Sequence, residues 1–243
     1  MSVGKEKTEE YKMTEDILLS VIIPCYNEVK TIEKVIESVR DCGLRTEIIV
    51  VDDCSTDGSR ELLKGKLYPK VDTILFHKVN QGKGAALRHG FAAAKGDLVI
   101  VQDADLEYDP KDFNRLIRPF IDDNADVVYG SRYLRGSNHR VDGFWHEFGN
   151  KMLTLVSNIF SNLSLTDMET CYKMFKREVI QSIKLKEDRF GFEPEVTAKI
   201  AKRRLNICEV PISYRPRSFD EGKKIGLKDA FRAFYCIVKY NLR

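Results

Sequence analysis

Short, wholly apolar runs alternate with helical patterns through the first half of this chain. Residues 18–23, 47–51 (EIIVV), 73–76 and 98–102 read as strands, the most apolar of them with no face left for water. Between them, residues 31–42 carry Ile32, Val35, Ile36 and Val39 at helical spacing and stop at Gly43. Residues 82–94 read as a second helix. Strands buried on both faces and alternating with helices predict an α/β fold, a mainly parallel sheet flanked by helices. The second half is less regular, with a strand at 127–129, helices at 150–160 and 194–203, a strand at 207–214 and an amphipathic stretch at 227–240. No internal repeat, low-complexity tract or interdomain linker interrupts it. The expected organisation is a disordered lead-in at 1–16 followed by one domain at 17–243.

Ligands of such sheets bind beyond the carboxyl ends of the strands. Three polar clusters stand there: PCYNE, DDCSTDG and DADLE. Asp103 and Asp105 follow a buried strand directly, and residues two apart in an extended chain point the same way. Two carboxylates aimed at one spot repel unless a cation lies between them. As hard oxygen ligands they suit Mg²⁺ or Mn²⁺ bound together with substrate phosphates, with Glu107 as a third ligand or its support. Asp52 ends the second strand, where a carboxylate can accept hydrogen bonds from a base or ribose. Asp57 is expected to cap the next turn. Gly82-Lys83-Gly84 offers two readings, an anion contact at a helix start or a turn with a solvated lysine.

Other features narrow the class. There is neither a GxGxxG after the first strand nor a GxxxxGK[ST], which disfavours dehydrogenases and P-loop enzymes. A net charge of +3, with 43% hydrophobic and 32% charged residues, implies no nucleic-acid partner. No apolar run approaches the roughly 18 residues of a membrane span, and the charged first sixteen residues lack the apolar core of a secretory signal. The six cysteines show no CxxC pairing, which predicts reduced thiols in a cytoplasmic protein. The sequon at Asn162 is then a chance match.

In order and spacing, SVIIPCYNE, IIVVDDCSTDGS, NQGKGAALRHGF and GDLVIVQDADLEYDP resemble the family 2 glycosyltransferases. Within them they are most similar to the dolichol-phosphate mannose synthase and polyprenyl-phosphate glycosyltransferase branch. The resemblance runs from about residue 18 to about residue 217. It implies the glycosyltransferase A fold, which is Rossmann-like and binds nucleotide sugars, an inverting mechanism and Mg²⁺ or Mn²⁺. Residues 17–133 would form the nucleotide-sugar half and 134–243 the acceptor half. Pro24, Tyr26, Glu28 and Asp52 fall where the family contacts base and ribose. Asp103, Ala104 and Asp105 match the DxD that holds metal and diphosphate. Glu107 stands where the mannose synthases often have Gln. Arg132 matches an arginine near the diphosphate or acceptor phosphate, and Arg217 and Lys223 match a late pair that folds over the diphosphate. The implied donor is a nucleotide sugar, GDP-mannose or UDP-glucose.

The acceptor divides the remaining candidates. A hydroxyl acceptor needs a carboxylate base, for which Asp167, Glu169, Glu193 and Glu195 stand ready. A polyprenyl phosphate is already anionic and would use Arg132, Arg135, His139 and Arg140. The family favours the lipid phosphate; a soluble glycan or other hydroxyl is the alternative. Two stretches could rest on a membrane interface or pack on the core: Phe144, Trp145, Phe148, Met152, Leu155, Val156 and Ile159, and Leu227, Phe231, Phe234 and Val238 beside Lys228, Arg232 and Lys239. A nucleotidyltransferase would show a Gly-rich loop in place of PCYNE. A binding protein without turnover would have no need of Asp103, Asp105, Arg217 and Lys223 together.

Overall fold

The computed structural model describes residues 16–134, 136, 144–216 and 227–242. The expected disordered lead-in, apart from Asp16, lies outside them, as do Arg135, His139, Arg140, Arg217 and Lys223. Strands β1 (Leu19–Cys25), β2 (Thr46–Asp52), β3 (Thr73–Phe76) and β4 (Leu98–Val101) pair in parallel around β1. Helix α1 (Ile32–Arg40) buries the four apolar residues whose spacing marks it, and α2 (Ser59–Lys64) is a short helix after β2. Helix α3 (Lys83–Ala93) lies so close to β1 that a Cβ on Gly90 would overlap the Ile22 side chain. Glycine is required there by contact, whatever its cost in a helix.

The second half adds α4 (Phe113–Asp122), β5 (Val127–Ser131), α5 (Phe144–Ser161), β6 (Lys173–Lys176), α6 (Arg177–Ser182), α7 (Phe192–Ala201), β7 (Ile207–Pro211) and α8 (Leu227–Leu242). Among the described residues the sheet has seven strands in the order β3-β2-β1-β4-β6-β5-β7. Its one reversed strand is β6, antiparallel to both β4 and β5, while β7 runs parallel to β5. The mainly parallel sheet is as expected, and its core is the continuous cluster of fully buried residues from β1, β2, β4, β5, β6 and the helices on them.

Several elements differ from the pattern reading. Helix α5 begins six residues before 150, because the aromatic stretch continues its helical spacing through Phe144 and Phe148 and Gly149 meets nothing that would stop it. α4 is hidden in the sequence by an interior proline, Pro119, yet buries Phe113, Leu116 and Ile117. β6 (KMFK) has a lysine at each end and only two apolar residues between, too little for a periodic signal. All six cysteines are free thiols.

Helix α8 docks on α5 and α7 and is tied down at one carboxylate. Glu187 accepts from Arg232 Nη2 at 2.5 Å, from Tyr240 Oη at 2.7 Å and from Lys239 Nζ at 3.0 Å. Burial pushes its carboxyl up, but the hydrogen bonds from Tyr240, Arg232 and Lys239 outweigh that and bring it down to about 2, from an ordinary 4.5. A carboxyl depressed by folding stabilises above its unfolded pKa and loses that contribution as pH falls toward its folded one. Protection of the amides in residues 231–242, measured against their intrinsic exchange rate at each pH, should therefore be high above pH 4.5 and fall progressively toward pH 2. In Glu187→Gln protection should be lower already at neutral pH, and insensitive to acid over that window; equal protection in both proteins would show that Glu187 does not hold α8.

Candidate active site

The three polar clusters arrive at one edge because their strands are neighbours in the order β2-β1-β4. Loops after β1 and β2 are stitched together. Asn27, at φ 56°, donates its N–H to Ser55 Oγ (3.0 Å), and its Oδ1 accepts from Thr56 N (2.8 Å). Asp57 accepts from Val29 N (3.0 Å) and Ser59 N (2.9 Å), the capping role expected of it. This sets Pro24, Tyr26 and Glu28 beside the end of β2, with Tyr26 exposed and Glu28 Oε2 accepting from Thr31 Oγ1 at 3.0 Å. Asp52 is fully buried there, and its Oδ2 receives Arg60 Nε at 2.6 Å. Arg60 reaches on to the His77 carbonyl (2.6 Å). Nothing in the local pattern singled out Arg60, which lies eight residues beyond its partner.

Asp53 also escaped the sequence reading. Its carboxylate accepts from Gln81 N at 2.8 Å and Gly82 N at 2.7 Å, and touches His77 Nδ1 at 2.7 Å. It thus ties down the two residues that lead into α3, while the Ala85 N–H in the first turn goes to the Asp188 carbonyl at 3.1 Å. Gly82 (φ 98°) and Gly84 are glycines because residues 187–189 cross them so closely that a Cβ would overlap carbonyls of Asp188 and Glu187. The turn reading thus accounts for the two glycines. The lysine between them is not solvated. Lys83 Nζ lies 2.8 Å from Asp103 Oδ1 and 3.4 Å from Glu193 Oε1. Burial works against its charge, but Asp103, with Glu193, more than reverses this and holds its pKa well above the ordinary lysine value.

Asp103, Ala104 and Asp105 follow β4. Asp105 is almost fully buried, its Oδ1 accepting the Glu107 N–H at 3.1 Å. Glu107 Oε2 accepts from Tyr214 Oη at 3.3 Å, which places it against the segment after β7. Among the described residues no three acids, histidines or cysteines are gathered to hold a metal by themselves. Two carboxylates, one of them balanced by a lysine, do fit a divalent cation that arrives with phosphate oxygens completing its shell.

The far side of the site is supplied by β5 and by the segment leading into β6. Arg132, just after β5, is buried and forms a two-pronged pair with Asp167: Nε to Oδ2 at 2.7 Å and Nη2 to Oδ1 at 2.8 Å. Its own N–H adds a third bond to Oδ2 at 3.1 Å. Asp167 therefore lies under the arginine, whose guanidinium also covers the Tyr214 ring at 5.2 Å. Of the other carboxylates considered as bases, Glu195 is fully buried and accepts the N–H groups of Lys186 and Glu187 at 2.8 Å, which makes it a loop anchor. Glu193 faces Lys83. Glu169 keeps one oxygen, Oε1, buried with no hydrogen-bond partner among the described residues. Burial, then the neighbouring Glu193, pushes its carboxyl up to about 8, and burial pushes the nearby Lys173 down.

Comparison with known proteins gives this geometry a family. The chain is 27% identical over 242 residues to an uncharacterized protein of Methanocaldococcus jannaschii, covering 96% of this chain and 97% of that one. It is 28% identical to the dolichol-phosphate mannosyltransferase of Pyrococcus furiosus, over 91% of this chain and 64% of the relative. It is also 28% identical to an undecaprenyl-phosphate 4-deoxy-4-formamido-L-arabinose transferase of Pseudomonas paraeruginosa, over 85% of this chain and 60% of the relative. The chain thus spans somewhat less than two thirds of the length of those two relatives. In fold it is similar to glucosyl-3-phosphoglycerate synthase from Mycobacterium tuberculosis, crystallised with Mn²⁺, UDP and glucosyl-3-phosphoglycerate. That likeness has a TM-score of 0.72 at 21% identity and covers 99% of this chain and 84% of the other. It bears out the glycosyltransferase A fold. Residues 20–184, which hold the sheet edge, both aspartates and Arg132, match the family described as Glycosyl transferase family 2, and the chain belongs to that family of enzymes.

Proposed function

We propose that this glycosyltransferase moves a hexose, mannose or glucose, from its nucleoside diphosphate to a polyprenyl phosphate at a membrane surface. The observation that carries the acceptor is an apolar face beginning beside Arg132. Tyr133 receives Asn150 Nδ2 on its hydroxyl (3.3 Å) and Lys151 over its ring (5.3 Å), so α5 meets the wall of the site about two turns from its start. From there α5 exposes Phe144, Trp145 (79%), Phe148, Met152, Leu155 and Ile159, and its neighbour α8 exposes Phe231 and Phe234. Aromatic and aliphatic side chains this exposed mark a contact surface rather than a core. Lys151 and Arg232 stand among them, a composition suited to the boundary of an anionic bilayer. No described helix is long and apolar enough to cross a membrane. The names of two relatives, both lipid-phosphate transferases, point the same way.

In this reading Pro24, Tyr26, Glu28 and Asp52 line the base and ribose, and Asp103 and Asp105, with Glu107, take the diphosphate together with Mg²⁺ or Mn²⁺. The metal would supply charge neutralisation for the leaving diphosphate. If Asp103 were engaged by the cation, Lys83, now paired with it, would be left to face the phosphates. Arg217 and Lys223 are proposed to complete the cationic cover. Arg132, held by Asp167, presents a fixed guanidinium to the acceptor phosphate. An oxygen of that phosphate attacks the anomeric carbon from the face opposite the leaving group, and no proton has to be removed from it.

Two outcomes check this. Asp105→Asn keeps the side-chain shape but loses a charged ligand, so transfer with Mn²⁺ should fall roughly a hundredfold or more, in line with the several kcal/mol a metal contributes to charge stabilisation. Near-wild-type turnover in that variant would remove Asp105 from the metal site. For the acceptor, purified enzyme should glycosylate a polyprenyl phosphate in anionic vesicles and leave the matching alcohol untouched, offered with GDP-mannose and with UDP-glucose. Replacing the exposed Phe144 and Trp145 together by Ser should weaken transfer in vesicles while the nucleotide-induced thermal shift stays as it was. Ready transfer to the alcohol, or to a soluble sugar alone, would overturn the lipid-phosphate reading.

A further inference from the structure

Between the two charged poles of the site, Asp103 with Lys83 and Arg132 with Asp167, runs a single stretch of chain, residues 166–171. It is held at both ends and in the middle. Glu209 on β7 accepts from Thr166 N and Oγ1 and from Asp167 N at 2.9–3.1 Å. Thr154 Oγ1 on α5 accepts Met168 N at 3.1 Å, and Tyr108 Oη accepts Cys171 N at 3.1 Å. Glu169 is the centre of this stretch. Its Oε1, like the adjacent Thr170 Oγ1, is buried with no partner among the described residues, although the backbone of Met168 and Thr170 on either side is anchored. A buried oxygen left unpaired costs free energy in a folded protein, and far more if it carries charge. Such an oxygen in a fixed segment of an active-site wall is accounted for when a ligand group meets it.

The charged groups around it decide its chemical form. Glu193 faces it from α7, Lys173 from β6, Arg132 from the end of β5 and Asp167 from its own segment. Lys173 is itself fully buried and donates to the Thr170 carbonyl, with its ammonium over the Tyr129 ring at 5.1 Å. Glu193 is drawn to Lys83. Of the two cations nearest to Glu169, Arg132 is thus committed to Asp167 and Lys173 to a carbonyl and a ring. Burial followed by the Glu193 charge places its pKa at about 8, so near neutral pH it keeps its proton.

We propose that Glu169 acts as a neutral carboxylic acid that donates a hydrogen bond to an oxygen of the acceptor phosphate, beside Arg132, and is not a base. This rests on the lipid-phosphate reading above. A carboxylate here would repel the incoming phosphate, whereas a protonated carboxyl joins Arg132 in binding it. The proton stays on Glu169 throughout, and the only bonds that change are the new bond from phosphate oxygen to anomeric carbon and the broken bond to the diphosphate. A hydroxyl acceptor would reverse the requirement, since its proton has to leave.

The test compares wild type, Glu169→Gln and Glu169→Ala with Mn²⁺, the nucleotide sugar and a polyprenyl phosphate, across pH from about 6 to about 9.5, the range that brackets such a carboxyl. Gln keeps a donor and cannot ionise. It should retain wild-type turnover, and its acceptor KM should stay flat where that of wild type climbs as pH passes through about 8. The phosphate itself finishes titrating near 6, so it does not contribute to that limb. Ala should raise the acceptor KM by roughly ten- to hundredfold, the worth of one hydrogen bond to a charged group, with the donor KM unchanged. A collapse of kcat in Glu169→Gln would make the residue a base and overturn the proposal. Identical pH profiles for wild type and Glu169→Gln, or an Ala variant with an unaltered acceptor KM, would overturn it as well. Wild-type transfer only to polyprenol or a soluble sugar would instead overturn the acceptor reading and this inference with it, whereas the first three results leave that reading standing.

Discussion

A single reversed strand determines what can meet at the working edge of this sheet. In a parallel α/β sheet only the loops that follow strands reach the carboxyl edge; the segments that precede them lie at the opposite edge. β6 runs antiparallel between β4 and β5, so its preceding segment, not its following one, arrives beside the ends of both. That brings Asp167, Glu169 and Cys171 between Asp103 on one side and Arg132 on the other. Had β6 been parallel, Asp167 could not have paired with Arg132. The arginine would then be a buried cation without a counter-charge, which costs several kcal/mol.

The second constraint is charge. Asp103, Asp105, Glu107, Asp167, Glu169 and Glu193 crowd this edge against Lys83, Arg132 and Lys173 among the described residues. A folded protein relieves such an excess by protonating a group or by binding a cation. The structure supports both, at different points. Burial and the Glu193 charge raise the Glu169 carboxyl to about 8, toward its protonated form. Asp103 is neutralised by Lys83 in a contact that a divalent cation could take over. The pairing of Arg132 with Asp167 fixes the plane of the arginine, because two prongs and its own backbone N–H hold the guanidinium in one orientation.

Legibility in the sequence followed the size of the local signal. β1, β2 and β4 are buried on both faces, so apolar composition alone marks them, and the acids at their ends are adjacent to the signal. The family motifs extended this to Arg132. What stayed hidden depends on tertiary contact. Asp53 was set beside Asp52 with nothing to tell them apart, yet one holds Arg60 and the other ties down the residues that lead into α3. β6 has too few apolar residues to announce itself, and its direction is a property of its neighbours. Four acids were equivalent as bases until burial and partners separated them: Asp167 under an arginine, Glu195 anchoring the loop at 186–187, Glu193 beside Lys83, and Glu169 with an oxygen unmet.

The apolar face and the sheet edge proposed to bind the donor are also joined by structure, through residues 187–189. The Glu187 carboxylate gathers Arg232, Lys239 and Tyr240 of α8, and its backbone carbonyl accepts Arg88 Nη1 of α3 at 2.8 Å. Asp188 receives the same arginine at 2.5 Å and its carbonyl takes Ala85 N at 3.1 Å, two residues from Lys83. The two glycines around Lys83 are what let this loop approach. The helix proposed to rest on the bilayer and the helix that carries Lys83 therefore share one crossing. Contiguity of this kind does not by itself transmit a signal. Under the proposed function it would fix distance: an acceptor phosphate presented at a membrane surface would meet a donor held at a set height above it, and this anchored crossing would keep that height.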